Sequence, residues 1–116
     1  MPVDSFLQVA ELLPEPMLLV SAADGKILAA NRCTEKLLLD PGALPGQALA
    51  DLVAEEPAEV ARYLRYCARS RQLVLGALTL QADGKRIVCR SEGAVFRVRS
   101  ASAPALVLLR LLVKEI

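Results

Sequence analysis

The groups that could do chemistry in this 116-residue chain are three cysteines, scattered carboxylates and serines, and a row of arginines; histidine is absent. Cys33, Cys67 and Cys89 are odd in number and widely spaced, with no Cys-x-x-Cys pair. That spacing predicts neither a metal site nor a disulfide framework, and the three read as small apolar side chains of a reduced, cytoplasmic protein. Asp24, Asp40, Asp51 and Asp83 fall in turns or at helix ends, where turn and capping chemistry account for them. Ser21, Ser70 and Ser91 have no histidine to activate them, and no lysine is placed to act as their base. Gly42 and Gly46 do not form a phosphate-binding loop. Lack of histidine also removes the common general base, the common haem ligand and most zinc and iron sites. The expectation is a domain with no catalytic residues, no cofactor and no metal.

Charge narrows the partners further. Fourteen basic and thirteen acidic side chains leave a net charge of +1, too little to recruit nucleic acid or an anionic membrane by charge alone. Hydrophobic residues make up 54% of the chain, enough for one folded domain. Only four rings occur, Phe6, Tyr63, Tyr66 and Phe96, with no tryptophan, so a planar chromophore has little to stack on. No run reaches the roughly 20 apolar residues of a membrane span. The most apolar stretch, Ala103 to Val113, is short and interrupted by Arg110. The N-terminus, with Pro2 and Asp4, lacks the basic-then-apolar order of a secretory signal. The last apolar segment runs to Ile116 without a polar tail, which reads as a module of a longer protein.

The elements that must position these groups follow from periodicity and breakers. Asp4 or Ser5, with Gln8 completing a capping box, starts a first helix whose apolar stripe is Phe6, Val9, Ala10 and Leu13; Pro14 and Pro16 end it. Met17 to Ala22 and Lys26 to Ala30 are strands joined at Asp24-Gly25. Asn31 caps a short helix through Leu39, with Cys33 and Leu37 on one face. Asp40-Pro41-Gly42 and Pro45-Gly46 break the chain, a helical turn follows around 48–54, and Pro57 opens a longer helix to about Ser70. In that helix Val60, Leu64 and Cys67 share one face, and Arg62, Arg65 and Arg69 share a solvated one. Leu73 to Gln81 and Arg86 to about Ser100 are strands joined at Asp83-Gly84. Apolar parity changes within the second of these, which predicts a bulge at Gly93. After a Ser/Ala loop, Ala105 to Val113 is a final strand, apolar on both parities. Two hairpins around intervening helices predict an α+β fold, a five-stranded antiparallel sheet with helices on one face.

Four stretches in this order resemble a PAS domain. They are Leu12-Leu13-Pro14-Glu15-Pro16-Met17-Leu18-Leu19-Val20 followed by Asp24-Gly25-Lys26-Ile27-Leu28-Ala29-Ala30-Asn31; Leu44 to Val53, with its Gly46; the Asp83-Gly84-Lys85 turn; and Lys114-Glu115-Ile116, where the family often ends in Asp-Ile-Thr. The resemblance covers Leu12 to Ile116 and divides the chain into a flanking helix (1–14) and a PAS domain (15–116). It implies a bacterial-type sensory and dimerisation module placed before an output domain such as a histidine kinase of a two-component system, a diguanylate cyclase or a transcription regulator. Light-sensing flavin members carry Asn-Cys-Arg-Phe; Asn31-Arg32-Cys33 places its cysteine one position late and lacks the residues that follow.

Two functional readings stand beside each other. One is an interaction module without a bound cofactor, a homodimer built from Phe6, Val9, Ala10 and Leu13 of the first helix and the outer sheet face, with Arg110 near the edge. The alternative is a sensor of a small apolar ligand held between the sheet and the 57–70 helix. Its cavity would be walled by Leu52, Val53, Val60, Leu64, Cys67, Ile87 and Cys89. Either way Asp24, Gly25, Asn31, Gly46, Asp83 and Gly84 are structural residues, and Asn31 is a helix cap.

Overall fold

The computed structural model describes residues 2–38, 44–82 and 84–113. The elements are α1 (Pro2–Ala10), β1 (Met17–Ser21), β2 (Ile27–Ala30), α2 (Arg32–Leu38), a 3-10 turn (Leu49–Asp51), α3 (Pro57–Arg69), β3 (Val74–Ala82), β4 (Lys85–Arg97) and β5 (Leu106–Val113). The five strands form one antiparallel sheet in the order β2-β1-β5-β4-β3. The expected α+β architecture is therefore present. Asp40, Asp83, the Asp40-Pro41-Gly42 breaker and the Lys114-Glu115-Ile116 ending lie outside the described residues.

Strand parity separates two cores. On the inner face Leu18, Val20, Ile27, Leu78, Leu80, Cys89, Val107, Leu109 and Leu111 meet Val60, Leu64 and Cys67 of α3. On the outer face Met17, Leu19, Ala29 and Leu106 meet Phe6 and Ala10 of α1. Both parities of β5 are apolar because both faces of the sheet are covered there by helices of the same chain. This arrangement also explains the parity change in β4. Inner positions Cys89, Ser91 and Gly93 lie in unbroken register with β3, while outer Ala94 and Phe96 are apolar because they lie on the side that α1 covers. The bulge falls between Val95 and Arg97, not at Gly93.

Two helices also differ from the sequence expectation. Helix α1 begins at Pro2, with Asp4 inside its first turn, and ends at Ala10. Its buried stripe is Val3, Phe6, Leu7 and Ala10, at helical spacing, so Val9 faces away and Leu13 lies beyond the helix end. In α2 the buried pair is Thr34 and Leu38 rather than Cys33 and Leu37; the half-exposed Cys33 thiol lies 3.4 Å from the Pro14 carbonyl.

Turns are closed as their residues require. Gly25 (φ 72°), Gly46 (φ 92°) and Gly84 (φ 77°) occupy the left-handed region that glycine tolerates. Asp24 Oδ1 accepts the Lys26 amide at 3.0 Å, and the Gly46 amide donates to the Ile27 carbonyl at 2.7 Å. The β3 edge is partly covered: the Ala54 amide donates to Thr79 O, the Gln81 amide to Leu52 O, and Glu55 Oε1 accepts the Thr79 amide at 2.8 Å.

Candidate functional site

Helix α3 packs on the inner face, against β3, β4 and β5. Proline at its start and the i, i+4, i+7 spacing of Val60, Leu64 and Cys67 fix its length and its buried face. All three side chains are buried in one cluster with Val53 and Cys89, and Leu52 and Ile87 pack against that cluster. The seven residues expected to wall a ligand cavity are thus brought together in and around one inner-face cluster.

A polar contact lies among them. The Tyr63 hydroxyl donates to the Val74 carbonyl at 3.0 Å and accepts from the Ser91 hydroxyl at 2.8 Å. Its ring occupies the space a Cβ would need at Gly76, 2.7 Å from Tyr63 Cε1. A Cβ on Gly93 would overlap the Cys67 sulfur and come within 3.1 Å of Leu109. The two glycines therefore let α3 approach the sheet closely. Burial raises the Tyr63 phenol well above its ordinary value, opposed by the Ser91 hydrogen bond. Burial likewise pushes the Cys67 thiol up, with the Tyr63 hydrogen bond opposing, and pushes Cys89 up, reinforced by the Glu55 charge. Both thiols are free and held in their neutral form. Sequence reasoning missed Tyr63, Ser91 and Gly76. The signal was present: Tyr63 completes an i, i+3, i+4, i+7 face with Val60, Leu64 and Cys67, opposite inward glycines.

Asn31 is a second junction, fully buried. Its Oδ1 accepts the Thr34 amide at 3.1 Å, which caps α2, and the Met17 amide at 3.1 Å. Its Nδ2 donates to the carbonyls of Ala10 (3.0 Å) and Glu15 (2.8 Å). One amide side chain so ties the end of α1, the start of β1 and the start of α2. The Thr34 hydroxyl lies 2.8 Å from the same Oδ1 and 3.0 Å from the Met17 carbonyl.

Solved structures similar to this chain include the PAS domain of an HTR-like protein from Haloarcula marismortui, at TM-score 0.78 and 15% identity over 96% of this chain and 90% of that one. The PAS domain of nitrogen regulation protein NR(II) from Vibrio parahaemolyticus matches at TM-score 0.69 and 16% identity, covering 94% and 95%. The PAS domain of BvgS from Bordetella pertussis matches at TM-score 0.67 and 10% identity, covering 97% and 86%. No family model and no curated protein matches the sequence. The fold is that of a PAS domain.

On the outer face of this PAS fold the residues expected at a dimer interface divide. Phe6 is 1% exposed and Ala10 equally buried, both packed on their own sheet, with Phe6 meeting Phe96 edge-on at 6.2 Å. Val9 (59% exposed) and Leu13 are open to solvent, as is Leu12. Arg110 Nε lies 2.9 Å from Glu15 and 2.8 Å from Glu92, an ion-pair cluster that joins β5 and β4 to the segment after α1. Farther from α1, outer positions of β3 and of the first part of β4 are exposed: Leu75 is 73% exposed and Val88 47%. Among the described residues no helix is long and apolar enough to cross a membrane, and no cluster of His, Cys, Asp and Glu could hold a metal ion.

Proposed function

We propose that this chain is a sensory or regulatory PAS module that forms a homodimer and relays a signal to an output domain of a longer cytoplasmic protein, without catalysing a reaction itself. Residues 1–14 act as the flanking element and residues 15–116 as the sensor. The output is a histidine kinase, a diguanylate cyclase or a transcription regulator. The observation that carries this reading is the unequal cover of the outer sheet face. Helix α1 shields the β2-β1-β5 side through Phe6 and Ala10 and leaves Leu75 and Val88 of β3 and β4 in water; Val9 of α1 and Leu12 and Leu13 after it are exposed as well. Exposed apolar surface of that kind marks an interface in a soluble domain. The Glu15–Arg110–Glu92 cluster and Asn31 fasten α1 to β1, β4 and β5, so a shift of the partner's position would reach the strands.

Of the seven residues of the apolar-ligand alternative, all belong to or pack against the inner core, and Val60 and Leu64 also line an open cleft on the flank of α3. The test of the dimer is sedimentation equilibrium of the domain at about 100 μM, a concentration that populates even a dimer with a Kd of about 10 μM. A dimer mass is expected; a monomer at that concentration overturns the reading.

A further inference from the structure

An open cleft of about 720 Å³ lies on the flank of α3 and reaches Val60 and Leu64 at the edge of the inner core. Its floor is small and apolar, formed by Ala22, Ala105, Val60, Ala61 and Leu64. One wall is the β1–β2 turn and the other is the 99–105 loop between β4 and β5. That loop is built, not trailing. The Ser100 amide donates to the Ala103 carbonyl at 2.9 Å, the Ala22 amide donates to the Ala105 carbonyl at 3.0 Å, and Arg97 Nη2 donates to the Pro104 carbonyl at 3.1 Å.

The charge of the cleft is one-sided. Arg65 and Arg69 line it from α3 and Arg99 from the loop. The same Arg65 and Arg69 continue into a shallower concavity shared with Arg62 and Tyr66. None of these four arginines forms an ion pair among the described residues, whereas Arg32 and Arg110 do. The one carboxylate lining the cleft, Asp24, has an oxygen engaged by the Lys26 amide. Arginines along one helix face are ordinarily solvated; here guanidinium groups from two separate elements border a concave apolar floor. The volume lies in the range of small-molecule sites, and guanidinium forks favour carboxylate and phosphate oxygens.

We propose that this cleft binds a small anion with a short apolar body, a carboxylate or a phosphomonoester, its charged end on Arg65, Arg69 and Arg99 and its body on the alanine floor. The proposal deepens the sensory reading by naming a ligand class. It is tested by binding alone, so its failure leaves the dimer test standing.

The experiment is an amide NMR titration of the domain with hexanoate, hexyl phosphate and, as the neutral counterpart, hexanol. One or both anions should give saturable shifts centred on residues 22–25, 61–69 and 99–105, and hexanol should give none comparable. Which anion saturates first separates the carboxylate from the phosphate source. Arg65→Gln with Arg99→Gln should weaken binding about tenfold or more, the loss of roughly one charge-assisted pair. Arg99→Gln is also made alone, so that a fault in α3 is not mistaken for lost binding, and should weaken it measurably. Arg86→Gln, on β4, should change nothing. The proposal is overturned if neither anion saturates at millimolar concentration, if hexanol binds as well, or if Arg86→Gln weakens binding as much as the cleft variants.

Discussion

The two faces of the sheet are covered by helices in different ways. On the inner face α3 lies so close that Gly76 and Gly93 are needed beneath it, and Tyr63 hydrogen-bonds across the gap to Val74 and Ser91. On the outer face the shorter α1 rests on Phe6 and Ala10, is fastened at its end by Asn31, and leaves the β3–β4 side uncovered. The inner contact is a large buried cluster with a hydrogen-bonded Tyr63 within it. The outer contact is a partial cover with apolar surface to spare. Stability should therefore reside mainly on the inner face, and association on the outer.

Substitutions can break that division. The largest effect should come from Gly93→Ala, whose Cβ has no room against Cys67 and Leu109: a loss of about 3 kcal/mol in a denaturant melt. A matched outer change, Ala77→Leu at an exposed position, should stay within about 0.5 kcal/mol. Equal costs for the two would end the distinction. Asn31→Ala should cost about 2–3 kcal/mol, more than the roughly 1 kcal/mol of a simple cap, because it strands buried groups of α1, β1 and α2 together. A loss confined to the cap value would reduce Asn31 to a local role.

Smaller effects sharpen the picture of the inner face. Tyr63→Phe leaves the Val74 carbonyl and the Ser91 hydroxyl without their partner and should cost about 1–2 kcal/mol near neutral pH. Its pH dependence has a definite sign. The folded Tyr63, Cys67 and Cys89 hold their protons to higher pH than the unfolded chain does, so from about pH 8 for the thiols and about pH 9 for the phenol the unfolded state binds fewer protons. Their contribution is complete below that window and is lost as pH rises through it. Wild-type stability should be level with respect to these groups up to about pH 8 and then fall, and Tyr63→Phe should fall less steeply above about pH 10. Parallel curves would show that the phenol keeps no proton through burial.

Much of the fold was legible because it rests on local rules. The Asp24-Gly25 turn, Pro57 at the head of α3, and the Val60, Leu64, Cys67 face each follow from a turn, a first-turn proline or a helical period. What was not legible depends on which helix covers which stretch of strand. Gly93 invites a bulge when β4 is read alone; with α3 in place it is a point of close approach, and the bulge moves to Val95–Arg97. Phe6, Val9, Ala10 and Leu13 share a stripe only if the helix continues past Ala10, which it does not. Arg99 gave no signal in sequence, since its neighbours Arg65 and Arg69 are thirty or more positions away and meet it only across the cleft.

Because Phe6 is buried within its own subunit, a charge there would strip α1 from the sheet and confuse folding with association. The direct measurement of the central claim is sedimentation velocity of Leu75→Glu beside Arg62→Glu, with wild type at the same concentration. Both residues are exposed, so both variants should fold with stability within about 0.5 kcal/mol of wild type. The outer-face account expects wild type and Arg62→Glu to sediment as dimers and Leu75→Glu as a monomer. A Leu75→Glu protein that remains dimeric, with Arg62→Glu dissociated, would place the interface on the α3 side and contradict it.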